Sequence, residues 1–353
     1  MSGHGGEVYR WAQETNRRVE EILDFSASIN PLGSPACVER VVRQAISRLV
    51  HYPEPYAEAL CRDLAYLHGV GVEQVVAGNG TTELLFLLPR AFECRQVLVP
   101  APSYSDYARA STLAGLEVEH LPLRPEEGFR LDLEGLERRL HGGALVFLGQ
   151  PNNPTGQLCD REALRRLVAA RPDVSFVVDE AFADFVEGYG SLAGEAPANL
   201  VVLRSLTKIY AVPGLRLGYA VADRETAARL RALVPPWSVN VLGQEVGRAL
   251  LQEKDYVRRS QQIVARWRNA LTARLRALPE VQVWDGEANY LLLCLGKKGD
   301  AVALARRLLD RGIAVRPCAN FVGLDQSFLR VAVRTESENE WLVRALGEAL
   351  GHA

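Results

Sequence analysis

Ser205-Leu206-Thr207-Lys208-Ile209-Tyr210-Ala211-Val212-Pro213-Gly214-Leu215-Arg216-Leu217-Gly218-Tyr219 sets a lysine in a small, polar, loop-like stretch with an arginine eight residues later. Upstream lie the turn Pro151-Asn152-Asn153-Pro154-Thr155-Gly156 and the segment Asp179-Glu180-Ala181-Phe182. Asp179 closes the apolar run Phe176-Val177-Val178, which places its carboxylate at the C-terminal edge of a sheet, where α/β sites form. Alone, Lys208 reads as a solvated surface charge and Asp179 as a helix N-cap. Their order and company argue for chemistry instead.

Around these segments, short apolar runs alternate with helical patterns, the signature of a mainly parallel sheet covered by helices. Expected strands are Gln96 to Val99, Ala144 to Leu148, Ser175 to Val178, Leu200 to Leu203 and Leu217 to Val221. Ile263, Trp267, Leu271 and Leu275 recur every four residues, giving one apolar face to a long helix. Beyond it come strands at Val281 to Trp284 and Asn289 to Leu295, a helix Asp300 to Arg311, a strand Phe328 to Arg334 and a helix Ser337 to Leu350. The stretch Ala77-Gly78-Asn79-Gly80-Thr81-Thr82-Glu83-Leu84 reads as a glycine turn feeding a helix. Free N–H groups and the helix dipole make such a start an anion site, although Thr81, Thr82 and Glu83 also suit plain capping.

With 353 residues, 48% of them hydrophobic, the chain can bury a large core. A net charge of −2 gives no reason to expect nucleic acid or an anionic membrane as partner. Six scattered cysteines form no Cys-x-x-Cys pair, which argues against zinc and a disulfide framework. Met1-Ser2-Gly3-His4-Gly5-Gly6 lacks a signal-peptide layout, and no apolar run reaches membrane-span length. The expectation is a cytoplasmic protein.

The lysine segment, the Asn-Asn-Pro-Thr-Gly turn and Asp-Glu-Ala-Phe together resemble the fold-type I enzymes that use pyridoxal 5'-phosphate (PLP), within the class I/II aminotransferase superfamily. The resemblance implies an α/β fold with a mainly parallel seven-stranded sheet. It also implies a large PLP-binding domain at 41–254 and a small domain from 1–40 and 255–353. PLP needs an amine for its aldehyde, an acid for its ring nitrogen, a phosphate cradle and a ring clamp. Lys208 would supply the amine and Asp179 the acid. Gly80, Thr81, Thr82, Ser205 and Arg216 would cradle the phosphate. Tyr104 would stack on the ring and Asn153 would bond its phenolic oxygen. Tyr52 matches a tyrosine that relatives lend to the neighbouring subunit's phosphate, implying a homodimer with shared sites.

Two branches stand out: threonine-phosphate decarboxylase of cobalamin synthesis and histidinol-phosphate aminotransferase. His4-Gly5-Gly6, the stretch Asp24 to Gly33, Pro236-Trp237-Ser238-Val239-Asn240 and Arg316 to Leu324 are similar to the decarboxylase. So is Phe182, where many aminotransferases carry a tyrosine able to bond the ring oxygen. Thr81 departs from the decarboxylase pattern, in which a glutamate stands. The implied substrate is L-threonine O-3-phosphate, giving (R)-1-amino-2-propanol O-2-phosphate and carbon dioxide. Its two anions suggest Arg330 as principal clamp, with Arg334 four residues on along the same strand face. Arg316 and His4 are candidates for the phosphate, and Asn30 for the carboxylate. The bond at Cα that stands perpendicular to the ring breaks most easily, so the anchoring of the anions selects the reaction. Rival readings are an aminotransferase for a phosphorylated amine and a PLP-binding regulator. The short N-terminus leaves the regulator no room for a DNA-binding domain.

Overall fold

In chain order the strands are β1 (Leu23–Asp24), β2 (Val75–Asn79), β3 (Gln96–Ala101), β4 (Glu117–Pro122), β5 (Leu145–Gly149), β6 (Ser175–Asp179), β7 (Leu200–Ser205), β8 (Leu217–Val221), β9 (Gln282–Val283), β10 (Tyr290–Cys294), β11 (Ile313–Ala314), β12 (Arg316–Pro317) and β13 (Phe328–Ala332). This computed structural model describes residues 4–195, 197–296 and 299–351; residues 1–3 of the N-terminal reading lie outside it. Seven strands form the large sheet in the order β2-β8-β7-β6-β5-β3-β4. The α/β fold with a mainly parallel sheet is as expected: β8 runs antiparallel to both neighbours and the other pairs are parallel.

Alternation along the central strands shows why they read as unbroken apolar runs. Phe176 and Val178 of β6 face one buried cluster while Val177 faces another, and β7 divides Leu200 and Val202 from Val201 and Leu203 in the same way. Helices cover both faces, so neither set can be polar. Leu84, Leu85 and Leu88 of the helix Gly80–Ala91 and Tyr107 of the helix Asp106–Leu113 pack on one face. Leu60 and Leu64 of the helix Glu58–His68, with Val264 and Leu271 of the helix Lys254–Arg276, pack on the other.

A second sheet, β12-β13-β10-β9, is antiparallel, and β1 pairs with β11 beside it. The expected strand Phe328 to Arg334 stops at Ala332, because Val333 and Arg334 lead into the Thr335–Glu338 capping box of the helix Glu336–Ala349. The expectation that Arg330 and Arg334 share one strand face is therefore corrected. Two strands of the large sheet escaped the sequence reading, as did the two-residue strands β1, β11 and β12. β2 hid within the glycine-rich stretch, and β4, at the sheet edge, mixes Glu117, Glu119 and His120 with apolar residues and buries none of them fully.

Candidate active site

The polar segments singled out from sequence converge on one edge of the large sheet. β2 delivers Gly80, β3 leads to Tyr104, β5 to Asn153, β6 ends on Asp179, and β7 ends on Ser205 and leads to Lys208. Because β8 runs the other way, its preceding residue Arg216 returns to the same edge. This is the C-terminal edge at which α/β sheets place ligands.

Gly80 has φ +76°, and a Cβ there would lie 2.6 Å from Arg216 Nη2. A Cβ on Gly218 would lie 2.5 Å from Thr81 N. Glycine at both positions lets β8 and the guanidinium close against the start of the helix, leaving a cradle of N–H groups beside a cation. Glu83 caps that start by accepting from Asn79 N at 2.7 Å and from Ser238 Oγ. Ser205 Oγ and Thr207 Oγ1 are bonded at 2.8 Å, and Lys208 Nζ donates to Thr207 Oγ1 at 3.1 Å. Burial first, then the charge of Arg216, lowers the Lys208 amine to about 8 against the pull of Asp179. A partly neutral amine is a nucleophile.

Asp179 Oδ1 accepts from Ala181 N at 3.0 Å, and Oδ2 accepts from the hydroxyl of Tyr107 at 2.8 Å. Burial pushes this carboxyl up, opposed by Tyr107, Ala181 and Lys208. Tyr104 packs edge-on to Tyr107, with centroids 5.6 Å apart, and lies 5.7 Å from the ring of His4. His4 Nε2 sits 3.5 Å from Asp106 Oδ1, a buried carboxylate. The donor set fits PLP: an amine of lowered basicity, a buried acid, an aromatic ring and a glycine-lined anion cradle converge at one edge.

Arg330 is 6% exposed. It donates to Asn153 Oδ1 at 2.5 Å and Ser26 O at 2.7 Å, and lies over the Tyr290 ring at 5.2 Å. Its Nε is buried with no partner among the described residues. Arg316 is its register partner on the neighbouring strand, held by Asn320 Oδ1 at 2.8 Å. Burial first, with Arg330 also contributing, lowers Arg316 to about 10.

Two proposed substrate contacts are placed elsewhere. Arg334 donates to Asp24 O at 3.2 Å and Glu338 Oε1 at 2.8 Å, so it ties β1 to the last helix. Asn30 spends its amide on Ile209 O at 2.7 Å and Ser260 Oγ at 2.8 Å, and its N–H bonds Lys208 O at 3.1 Å. It braces the lysine loop. Tyr52 is 81% exposed and packs tilted against Trp237, with ring centroids 4.9 Å apart. The sequence reading missed Tyr107, although a tyrosine three residues after Tyr104 and next to Asp106 was a readable signal. It also missed the cluster behind the site, where Arg204 pairs with Glu180 at 2.8 Å and Asp184 at 2.5 Å.

The sequence model of the family described as aminotransferase class I and II matches residues 20–346. The chain belongs to that family. It is therefore a PLP-dependent enzyme of fold type I. Threonine-phosphate decarboxylase of Salmonella typhimurium is 37% identical, with 99% of this chain and 97% of the relative covered. The adenosylcobalamin biosynthesis bifunctional protein CobDQ of Leptospira interrogans is 34% identical over 97% of this chain, which spans 40% of that longer protein. The solved histidinol-phosphate aminotransferase of Clostridium acetobutylicum superposes with a TM-score of 0.87 at 28% identity, covering 94% of this chain and all of that one. Among the described residues no helix is long and apolar enough to cross a membrane.

Proposed function

We propose that this enzyme decarboxylates L-threonine O-3-phosphate to (R)-1-amino-2-propanol O-2-phosphate in cobalamin synthesis. The observation that carries the substrate class is the buried Arg330, whose Nε is unpartnered, directly across from Arg316. Like charges facing each other on adjacent strands are destabilising unless an anion comes between them. A substrate with a carboxylate and a phosphate supplies two. The similarity to the Salmonella decarboxylase favours threonine phosphate, and Phe182, packed edge-on against Tyr290 at 5.0 Å, has no hydroxyl to offer the coenzyme.

Bound PLP supplies an electron sink for the pair released at the substrate's Cα. The chain's own groups do the rest. Lys208 Nζ would hold the coenzyme through its aldehyde, and Asp179 would keep a proton at the ring nitrogen. The cradle at Gly80, Thr81, Thr82, Ser205 and Arg216 would hold the phosphate, Tyr104 would cover the ring and Asn153 would meet its phenolic oxygen. Arg330, with Arg316 and His4, would anchor the substrate's two anions and so select which bond at Cα is activated. Lys208 Nζ, released from the coenzyme by the substrate, would be the acid that gives a proton to Cα. We also assign a homodimer, since Arg216 and Tyr52 lie open at the phosphate end beside exposed Leu49, Val50 and Trp237. The separate sheets support the division into 41–254 and 1–40 with 255–353.

The second reading, transamination of histidinol phosphate, fits the Clostridium structure. Incubation with threonine phosphate separates them. Carbon dioxide released without any 2-oxo acid supports decarboxylation. Amino transfer that requires a 2-oxo acid, with no carbon dioxide, overturns it.

A further inference from the structure

The environment of Asp179 contains a group that the site as drawn so far does not use. Tyr107 is 1% exposed, and its hydroxyl donates to Asp179 Oδ2 at 2.8 Å. Its ring is fixed on two sides: it lies parallel to Phe147, with centroids 5.4 Å apart and 9° between planes, and it meets Tyr104 edge-on. Gly149, the last residue of β5, makes room for the hydroxyl, since a Cβ there would come within 3.3 Å of it. One strand end, one helix and two aromatic neighbours thus aim a single O–H at one carboxylate oxygen.

Burial and the charge of Asp179 push the phenol well above its usual range, so it stays protonated and acts as a donor. Its hydrogen bond favours the ionised form of Asp179, which burial disfavours. The other aids are Ala181 N and the cation on Lys208. With the coenzyme bound through Nζ, Lys208 would no longer present a free ammonium to Asp179. Tyr107 and Ala181 N then remain as the chain's own fixed donors to the carboxylate.

We propose that Tyr107 is a positioning residue for the coenzyme ring: by donating to Asp179 Oδ2 it fixes the orientation in which that carboxylate meets the ring nitrogen. The proposal rests on the assignment of Asp179 as the ring-nitrogen acid. Tyr104 and Tyr107, three residues apart, then divide the work. The first covers the ring face and the second steadies the acid at its edge, with the two side chains in contact.

The test is Tyr107→Phe, which keeps both aromatic contacts and removes one hydroxyl. Coenzyme is removed, PLP is titrated back, and its dissociation constant is measured with the pH dependence of the bound coenzyme's visible band. A hydrogen bond to a charged group is worth enough to weaken PLP binding by about tenfold, and the band midpoint moves with it. In an Asp179→Asn background the same substitution adds little, because both changes act through one contact. Wild-type affinity and band midpoint in Tyr107→Phe, with Asp179→Asn impaired, overturn the proposal alone. An Asp179→Asn enzyme indistinguishable from wild type overturns the assignment of Asp179 and the proposal with it. Equal losses from Tyr107→Phe in both backgrounds also overturn it, by showing a role independent of Asp179. Should Tyr107→Phe fail to fold, Phe147→Leu loosens the same ring and is expected to give a smaller shift of the same sign; no shift overturns the proposal.

Discussion

Around Asp179 both carboxylate oxygens have their donors before any ligand arrives, from Ala181 N and Tyr107. Around Arg330, across the cleft, the guanidinium is buried, its Nε lacks a partner, and another arginine stands opposite. One region is finished by the chain; the other, on the function proposed above, keeps one donor for a bound anion. The difference separates two tasks. Coenzyme chemistry needs fixed geometry and is shared across a family, whereas selectivity needs an unmet demand that only the right anions satisfy.

The comparison can be broken from either side. Replacing Lys208 with Ala has the largest expected effect: turnover is abolished in the carbon dioxide assay, and a near-normal rate removes this residue from the mechanism. Arg330→Ala comes next. Losing a buried partner for an anion lowers kcat/KM by about 100- to 1,000-fold, while PLP affinity by titration stays within a few-fold of wild type. Arg330→Lys restores little, because a point charge replaces a bidentate fork. Arg316→Ala gives a smaller loss, about tenfold or more and mainly in KM, as expected if it contacts the distal phosphate. A coenzyme-affinity loss as large as the substrate loss in either arginine variant merges the two regions and defeats the distinction.

The amine of Lys208 offers a finer test. Its basicity is lowered to about 8 by burial and by Arg216, and only the neutral form attacks an aldehyde. The rate at which apoenzyme captures PLP should therefore rise with pH and level off above about 8, followed by stopped-flow absorbance. Arg216→Ala moves the midpoint upward, toward the ordinary lysine value.

How much of this was legible follows the same division. The central strands were readable because both faces are covered, which forces continuous apolar runs. β4 was not, since an edge strand keeps polar residues such as Glu117 and Glu119. Lys208, Asp179 and Gly80 were findable because backbone turns and strand ends have sequence signatures. The partners of Asn30 and Arg334 could not be read, because they lie on segments distant in the chain: Ser260 for Asn30, Asp24 for Arg334. Tyr107 could be noticed beside Tyr104, but its partner could not, since Asp179 lies 72 residues away.

The smallest predicted effect lies on the far face of the sheet. His68 Nε2 bonds the Tyr219 hydroxyl at 2.8 Å. Burial, with the nearby Arg204 charge, lowers the imidazole from 6.5 to about 4. The unfolded chain takes up a proton below about 6.5 that the folded chain refuses until about 4, so stability falls as pH drops through that window. Urea titrations should show a decline on the order of 2 kcal/mol across it, flattened in His68→Gln. An unchanged slope in the variant assigns the decline to other groups.

Asp179 and Glu180 are consecutive, yet one meets Tyr107 on one side of the sheet and the other meets Arg204 on the opposite side. Deleting a single residue from β6 would slide Glu180 beneath the phenol and leave Arg204 facing the methyl group of Ala181. Chain length in β6 is thereby audited twice, by an acid that must reach the cleft and by a cation that must be neutralised behind it. Insertions and deletions nearby should be tolerated only in the connection before Ser175, where neither inspection applies.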